Sequence, residues 1–252
     1  PIIKQYLLDD IEQGNFIVCL KPVLEAESEE VVGAEAVVRY HHKDLGIVDP
    51  GRYLTLLEET KLSHYLDLYV FEEVCKTLRR WENEDRMMLP ISVNFSGATL
   101  RYESVGDKIL KIIEKYHVSS EYLQVEVSET NQEMNPEMLA ETSNKIRKAN
   151  VRVLLDDFGA KDSSFSILSI MEFDGLKLDK GITSNIVGNS KSRIVAKAVI
   201  DICRRLGASV YACGVETQDQ LNVMQELGCD YVQGNLFNKA ITIETFEVRY
   251  MQ

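Results

Sequence analysis

Acidic, amide and basic side chains follow short apolar runs throughout this sequence of 252 residues. They stand near the ends of those runs, at Glu35, Arg39, Asn94, Glu126, Glu129, Asp156, Asp157, Lys177, Asp179, Glu216 and Gln233. Carboxylate and amide oxygens are the ligands that hard divalent cations such as Mg²⁺ and Mn²⁺ prefer. Carboxylates that converge on one place repel each other unless cations balance them. The pattern therefore indicates a metal-dependent site.

The adjacent carboxylates Asp156 and Asp157 are followed by Phe158 and Gly159. In such a pair one group can bridge two metal ions while its neighbour binds only one, as two-metal hydrolysis requires. Taken alone, an Asp before Gly at a strand end is more often a helix cap or a turn. The Asp-Phe-Gly triplet also occurs in protein kinases, but the sequence contains neither an H-R-D catalytic loop nor a glycine-rich loop. The kinase interpretation is therefore excluded.

Each of the other polar positions also has an ordinary structural interpretation. An isolated Glu at a strand end is usually a solvated charge, and Arg39 would more often form a surface ion pair than bind phosphate. Asn94 could close a turn, Lys177 could form an ion pair, and Gln233 could belong to a loop. Each residue alone favours the structural interpretation. Their joint occurrence at the ends of successive predicted strands favours a functional site.

The elements that must position these side chains alternate along the chain, as is typical of a mostly parallel α/β protein. A helical pattern opens the sequence. The predicted strands are 16–24, 31–40, 89–96, 122–129, 151–159, 175–181, 208–216 and 230–237. The predicted helices are 51–81, 105–117, 136–150, 190–207 and 217–228, the last two ending at Gly207 and Gly228.

About eight strands in one domain predict a closed (β/α)8 barrel of TIM type, whose working residues lie at the carboxyl ends of the strands. An open doubly wound sheet is the alternative. It usually carries a glycine-rich phosphate loop, and the sequence has neither G-x-G-x-x-G nor G-x-x-x-x-G-K-[ST]. The barrel is therefore favoured.

Composition limits the partners of the chain. The 40 acidic residues exceed the 28 basic ones and give a net charge of −12, which argues against polymeric nucleic acid and anionic membranes. A small nucleotide stays compatible, because a bound metal ion cancels several carboxylates. The five scattered cysteines predict reduced cytosolic thiols, and the sequence shows no membrane span or signal peptide. We expect a cytoplasmic domain without membrane contact.

Seven short segments follow one another in a fixed order. They are Glu35-Ala36-Val37 with Arg39, Ser92-Val93-Asn94-Phe95-Ser96, Glu126-Val127-Ser128-Glu129, Asp156-Asp157-Phe158-Gly159, Leu176-Lys177-Leu178-Asp179, Gly214-Val215-Glu216-Thr217 and Gln233-Gly234. In these segments the sequence resembles the EAL domain family. The family's motifs are E-A-L-x-R, S-x-N-x-S, E-x-x-E, D-D-F-G, L-K-x-D, A-E-G-V-E-T and Q-G-Y, the last two matched only in part. The resemblance covers essentially residues 1–252 as one EAL domain.

The resemblance implies the EAL variety of the TIM-type barrel and the hydrolysis of one phosphodiester bond of cyclic-di-GMP to pGpG. It also implies two Mg²⁺ or Mn²⁺ ions and a metal-activated water. The metal ligands carried over are Glu35, Asn94, Glu126, Asp156 and Asp157. The other roles carried over are catalysis at Lys177, Glu216 and Cys213, substrate binding at Arg39, Gln233 and Asp179, and positioning of the loop after Asp157 by Glu129.

Departures from the family pattern affect the site itself. Cys213 replaces the first Glu of A-E-G-V-E-T, and a thiol is a poor ligand for Mg²⁺, so we expect a weakened second metal site. The loop after the Asp pair reads Ala160-Lys161-Asp162 in place of T-G-Y, and Lys161 could act as a tethered cation. Lys21 stands in place of a usual Gln. The segment 234–240 lacks the usual Tyr and Pro.

Three functional hypotheses remain open at this stage. The leading one is an impaired EAL domain that acts as a cyclic-di-GMP sensor or an interaction module. The second is an active but slow metal-dependent cyclic-di-GMP phosphodiesterase. The third is a structural partner-binding domain without nucleotide affinity. The resemblance also implies a homodimer, and the absence of an initiator Met suggests a chain excised from a longer multidomain signalling protein.

Overall fold

The computed structural model describes residues 2–128, 134–160 and 163–252. Within these ranges the strands are β1 (Phe16–Glu25), β2 (Val31–His42), β3 (Gly46–Val48), β4 (Ile91–Asn94), β5 (Leu123–Ser128), β6 (Arg152–Phe158), β7 (Gly175–Leu178), β8 (Ser209–Cys213), β9 (Tyr231–Gln233) and β10 (Ile241–Thr242). The helices are α1 (Ile2–Glu12), α2 (Pro50–Glu59), α3 (Ser63–Asn83), α4 (Gly97–Leu100), α5 (Val105–Tyr116), α6 (Pro136–Arg147), α7 (Ile167–Ile170), α8 (Lys180–Asn185), α9 (Ser190–Leu206), α10 (Gln218–Leu227) and α11 (Ile243–Tyr250).

Eight of the described strands close into a barrel. From β2 through β4 to β9, each strand pairs in parallel with the next, and β1 joins the two ends by pairing with β2 on one side and β9 on the other. The predicted TIM-type barrel is therefore confirmed. It is a mixed barrel, because β1 runs antiparallel to both neighbours. The short strands β3 and β10 pair with β2 and β1 respectively, outside the eight barrel strands, and were not predicted.

The long helix predicted over 51–81 is in fact two helices. The first, α2, begins after Asp49, whose side chain accepts a hydrogen bond from the backbone N–H of Gly51, and it ends at Glu59. Lys61 then adopts a left-handed backbone with φ 58°, which a continuing α-helix does not allow. The second helix, α3, starts at Ser63. The apolar spacing continues across this break, which is why periodicity did not reveal it.

The interior of the barrel is closed below the mouth by a small cluster of apolar side chains. Val23, Leu154 and Tyr211 form this cluster, separate from the main core between strands and helices. Gly175 makes room for them, because a Cβ atom at this position would stand 2.7 Å from Leu154 and 2.8 Å from Tyr211. The polar side chains above this layer therefore line a cup with an apolar floor.

Two helices end at glycine residues, as the sequence predicted. Gly207 and Gly228 end α9 and α10 with φ of 76° and 78°, a left-handed conformation that glycine adopts without steric cost. Among the described residues, none of the helices combines the length and the apolar character that crossing a bilayer requires.

Candidate functional site

The polar side chains predicted from the strand ends do meet at the mouth of the barrel. Asn94 and Glu126 stand opposite each other in the register of β4 and β5, and Glu35 lies on the neighbouring strand β2. A cleft of about 860 Å³ opens above them, and Asn94, Glu126, Asp156 and Asp157 line it. Because successive side chains of a strand point to opposite faces, one residue near the end of each strand can face the cleft.

Lys177 on β7 lies at the centre of the site. Its Nζ donates to both carboxylate oxygens of Glu126, at 2.9 and 2.7 Å, and to Oε2 of Glu35 at 2.9 Å. The side chain of Lys177 is only 4% exposed and that of Glu126 only 1%. One buried ammonium group therefore bridges two glutamates, on β2 and β5, whose strands are separated by β4 alone.

Amide side chains complete the surroundings of Glu35. Asn94 Nδ2 donates to Oε1 and Gln233 Nε2 donates to Oε2, each at 2.9 Å. We call Glu35, Asn94, Glu126, Lys177 and Gln233 the glutamate cage. The cage draws on β2, β4, β5, β7 and β9, so it forms only when the barrel has closed.

The two glutamates of the cage differ in their affinity for protons. Burial alone would raise the pKa of Glu35, but the charge of Lys177, the hydrogen bonds from Asn94 and Lys177, and the nearby Lys21 lower it to about 2. Burial, reinforced by the charge of Glu35, raises the pKa of Glu126 above its ordinary value, and Lys177 opposes this shift. Burial opposes the charge on Lys177, yet Glu126 and Glu35 hold its pKa well above the usual value.

The aspartate pair lies beside the cage in a looser setting. The backbone N–H of Asp157 donates to Oδ1 of Asp156 at 2.8 Å, and Ser128 Oγ donates to Oδ2 of Asp157 at 3.3 Å. Asp157 has a left-handed backbone with φ 55°, which Asp and Asn tolerate better than other side chains. Burial first, and then the charges of Asp156 and Asp179, raise the pKa of Asp157.

Cys213 ends β8 directly opposite Gln233 of β9. Its side chain is partly exposed at the mouth. Burial raises the pKa of its thiol, and the negative charges of Asp156, Glu35 and Glu126 raise it further. The positive charge of Lys177 lowers the pKa but does not outweigh these effects. The thiol is therefore protonated and neutral at neutral pH. We call Asp156, Asp157 and Cys213 the thiol rim.

Three other predicted site residues are not joined to the cage. Arg39 donates a hydrogen bond to the backbone oxygen of Ala240 and lies exposed on the rim. Asp179 caps α8 by accepting from the N–H of Gly181 at 2.8 Å, and Glu216 is exposed beyond the end of β8. The predicted loop-positioning residue Glu129 and the predicted tethered cation Lys161 lie outside the described residues.

Some residues of the site were not assigned a role from the sequence. Ser92 donates to Oε1 of Glu126 at 2.6 Å, and its position two residues before Asn94 was a usable signal. Lys21 stands opposite Glu35 in the antiparallel pair of β1 and β2, a relation that a parallel barrel does not predict. Asp67 of α3 accepts a hydrogen bond from the backbone N–H of Ser96 at 2.8 Å, and no motif or spacing in the sequence pointed to it.

The donor types at the mouth fit a hard divalent cation, because carboxylate and amide oxygens converge there. The arrangement itself is adapted to the ammonium group of Lys177. Among the described residues, no group of three His, Cys, Asp or Glu side chains stands close enough to hold a metal ion. Glu35 and Glu126 instead accept hydrogen bonds from Lys177.

Comparisons with known proteins agree on one family. A family model described as the EAL domain matches residues 4–240. Signaling protein YkoW of Bacillus subtilis is 29% identical over 244 residues, covering 97% of this chain and 30% of the relative. Cyclic di-GMP phosphodiesterase NbdA of Pseudomonas aeruginosa is 29% identical over 245 residues, covering 97% and 31%. The chain thus spans about a third of the length of these curated relatives.

Solved structures show the same fold. The PaMucR phosphodiesterase in complex with c-di-GMP superposes with a TM-score of 0.87 at 24% identity, covering 96% of this chain and 99% of that one. The FimX EAL domain of Xanthomonas citri in complex with c-diGMP gives a TM-score of 0.86 at 20% identity, covering 95% and 93%. At these identities the superpositions establish the architecture of the chain.

Proposed function

Because this chain belongs to the EAL domain family, we propose that it binds cyclic-di-GMP with an impaired phosphodiesterase activity and serves chiefly as a sensor of that nucleotide. Relatives named as cyclic di-GMP phosphodiesterases and EAL domains solved with c-di-GMP support the ligand. The observation that carries the proposal is a complete glutamate cage next to a neutral thiol at position 213.

The side chains divide the work between binding and chemistry. EAL phosphodiesterases depend on divalent metal ions, which neutralise phosphate charge and activate water, and here Glu35, Asn94, Glu126, Asp156 and Asp157 would hold them. Arg39 and Gln233 would contact the nucleotide, and Lys177 would orient the attacked phosphate or the water. A protonated thiol at position 213 accepts no proton and contributes no negative charge. Binding is therefore retained while hydrolysis is slowed.

A titration with cyclic-di-GMP, followed by product analysis of the same sample, tests the proposal. We expect micromolar binding by calorimetry and pGpG formation at least a hundredfold slower than that of an intact EAL phosphodiesterase measured in parallel with Mn²⁺. The Arg39→Ala variant is the control for specific binding and should weaken it. Turnover equal to that of the intact enzyme, or no binding at all, would contradict the proposal.

A slow phosphodiesterase is the second candidate, favoured by the cage and by the adjacent Asp156 and Asp157. Under this candidate Asp156→Asn abolishes the residual hydrolysis and Cys213→Glu increases it. If both variants leave product formation unchanged, the residual activity does not come from this site.

We also propose that the domain forms part of a longer signalling protein, because the chain spans about a third of YkoW and of NbdA. Mass measurement of the protein in cell extract, with an antibody against this domain, tests this. A species near 28.7 kDa alone would contradict it.

A further inference from the structure

A second groove opens at the closed end of the barrel, opposite the mouth. It has a volume of about 580 Å³ and lies where α6 ends and β6 and β7 begin. We call it the basal groove, and its polar lining residues are Asn144, Arg147, Lys148, Asn150, Arg152 and Asp174. Arg152 begins β6, and Asp156 of the mouth follows about 13 Å further along that extended strand. The basal groove is therefore separate from the site at the mouth.

The hydrogen-bond acceptors of the basal groove are largely used by the protein itself. Asp174 accepts from Arg147 on both carboxylate oxygens, at 3.2 and 3.3 Å, and from the backbone N–H of Val153 at 2.9 Å. Carbonyl oxygens in the last turn of α6 accept from the backbone N–H groups of Lys148 and Asn150, at 3.0 and 2.9 Å. The groove therefore presents few unused acceptors to a ligand.

The donors of the basal groove, in contrast, face solvent. Lys148 and Arg152 are exposed, and neither side chain has an ion-pair or hydrogen-bond partner in the part of the chain that the structure describes. The side-chain amides of Asn144 and Asn150 are exposed beside them and have no partner in the same part of the chain. A ligand that enters this groove therefore meets N–H groups that are ready to donate.

The charge of the basal groove is positive, although the chain has a net charge of −12. Its described lining residues include the cations Arg147, Lys148 and Arg152 and the carboxylate of Asp174. Glu172 contacts Arg147 from outside the groove at 3.8 Å and, among the described residues, pairs with neither of the other two cations. The dipole of α6 accounts for Lys148, because cations are favoured at the end of a helix. Arg152 belongs to β6, so the dipole does not account for it.

We propose that the basal groove binds a small soluble anion that carries a phosphate group, with Arg152 and Lys148 as its anchors. A guanidinium group can donate two parallel hydrogen bonds to phosphate, and lysine adds a compact charge. The amides of Asn144 and Asn150 can donate to the remaining oxygens, and the volume of the groove is in the range of small-molecule sites. The net charge of the chain repels an anionic bilayer, which favours a free phosphate compound over a lipid headgroup.

Calorimetric titration of the metal-free 252-residue chain with inorganic pyrophosphate tests the proposal. Arg152→Gln and Lys148→Gln should each weaken binding at least threefold, and the double variant at least tenfold, because each removes one anchoring charge. Arg249→Gln combined with Lys111→Gln is the matched control, since it also removes two exposed positive charges, and it should stay within twofold of the parent chain. An equal loss in the control, or no binding by the parent chain, would overturn the proposal.

A measurement on the parent chain locates the ligand without any substitution. Phenylglyoxal modifies exposed arginines, and saturating pyrophosphate should slow its reaction with Arg152 at least threefold, read by mass spectrometry. The exposed Arg249 is the internal control and should react at an unchanged rate. An unchanged rate at Arg152, or equal protection by acetate at the same ionic strength, would overturn the proposal. No readout involves cyclic-di-GMP, so this inference stands or falls independently of the proposed function.

Discussion

The two sides of the barrel mouth are built differently. In the glutamate cage, the buried Lys177 pairs with the buried Glu126 and the partly buried Glu35 at 2.7 to 2.9 Å, and the amides of Asn94 and Gln233 donate to Glu35 at 2.9 Å. In the thiol rim, the side chains are partly exposed, and Asp157 is held by a longer contact of 3.3 Å from Ser128. The cage behaves as part of the folded core, while the rim depends on what binds to it.

This difference separates positions where a substitution should cost much stability from positions where it should cost little. A substitution in the cage leaves a buried charge without its partner, which is costly. A substitution in the rim alters groups that solvent still reaches. Cys213 stands in the rim, so the replacement leaves the contacts of the glutamate cage in place. Three variants test the contrast and a fourth, at Asp67, lies outside both regions; they follow in order of expected effect.

The largest effect is expected for Lys177→Met. Removing one partner of a buried ion pair typically costs about 3–5 kcal/mol of unfolding free energy, and here two carboxylates lose it. Urea unfolding at neutral pH with a chelator measures this loss. Added Mn²⁺ should restore much of it, because a ligand that binds only the folded state stabilises that state. A loss below about 1 kcal/mol would show that the cage is not part of the core.

A smaller loss is expected for Ser92→Ala, at the base of the cage. The variant removes the 2.6 Å hydrogen bond to Glu126 and leaves that buried carboxylate with Lys177 alone. A lost bond to a buried charged group costs about 1–3 kcal/mol. The same urea titration measures it, and Ser92→Thr, which keeps a hydroxyl group, is the conservative control. An unchanged midpoint would contradict a structural role for Ser92.

The third prediction concerns Asp67, which lies outside both the glutamate cage and the thiol rim and should make the unfolding free energy depend on pH. Burial raises its pKa from 3.8 to about 6, although hydrogen bonds from Thr99 and Ser96 oppose the shift. The folded state therefore binds this proton more tightly than the unfolded state. Its contribution to stability is complete below pH 4 and is lost as the pH rises through about 6.

Comparing Asp67→Asn with the parent chain isolates this effect. The amide oxygen can accept both hydrogen bonds without a charge to bury. The difference in unfolding free energy between variant and parent should therefore shift in favour of the variant between pH 4 and pH 7. A difference that is constant over this range would contradict the shifted pKa of Asp67.

The smallest effect is expected for Asp157→Asn in the thiol rim. Asn tolerates the left-handed backbone at this position, and the change removes repulsion from Asp156 and Asp179. The unfolding free energy should change by no more than about 0.5 kcal/mol, or rise slightly. Thermal unfolding followed by circular dichroism measures this. A loss as large as that of Ser92→Ala would remove the distinction between the two sides of the mouth.

The parts of the molecule that sequence could predict are those with a regular period. Alternation along the strands and the seven motifs placed Glu35, Asn94, Glu126, Lys177 and Gln233 at one mouth, and the structure joins them. Gly207 and Gly228 predicted two helix ends because a left-handed turn there favours glycine.

Other features depend on geometry that no local pattern encodes. The left-handed turn at Lys61 interrupts an apolar spacing that continues on both sides. The antiparallel direction of β1, which brings Lys21 opposite Glu35, is decided by barrel closure. An ion pair was one interpretation of Lys177, but its two glutamate partners could not be named, because contacts between strands far apart in sequence leave no periodic signal.

The closure of the barrel by β1 also has a consequence for the order of events during synthesis. The first strand pairs with β2 within a local hairpin, but its other edge pairs with Val232 and Thr242, more than 200 residues later. Contacts of such sequence separation form late. Gln233 arrives with that last segment, so the glutamate cage is completed only when the nascent chain is almost finished. A ribosome stalled before residue 230 would hold a barrel with an open seam, a natural target for chaperones.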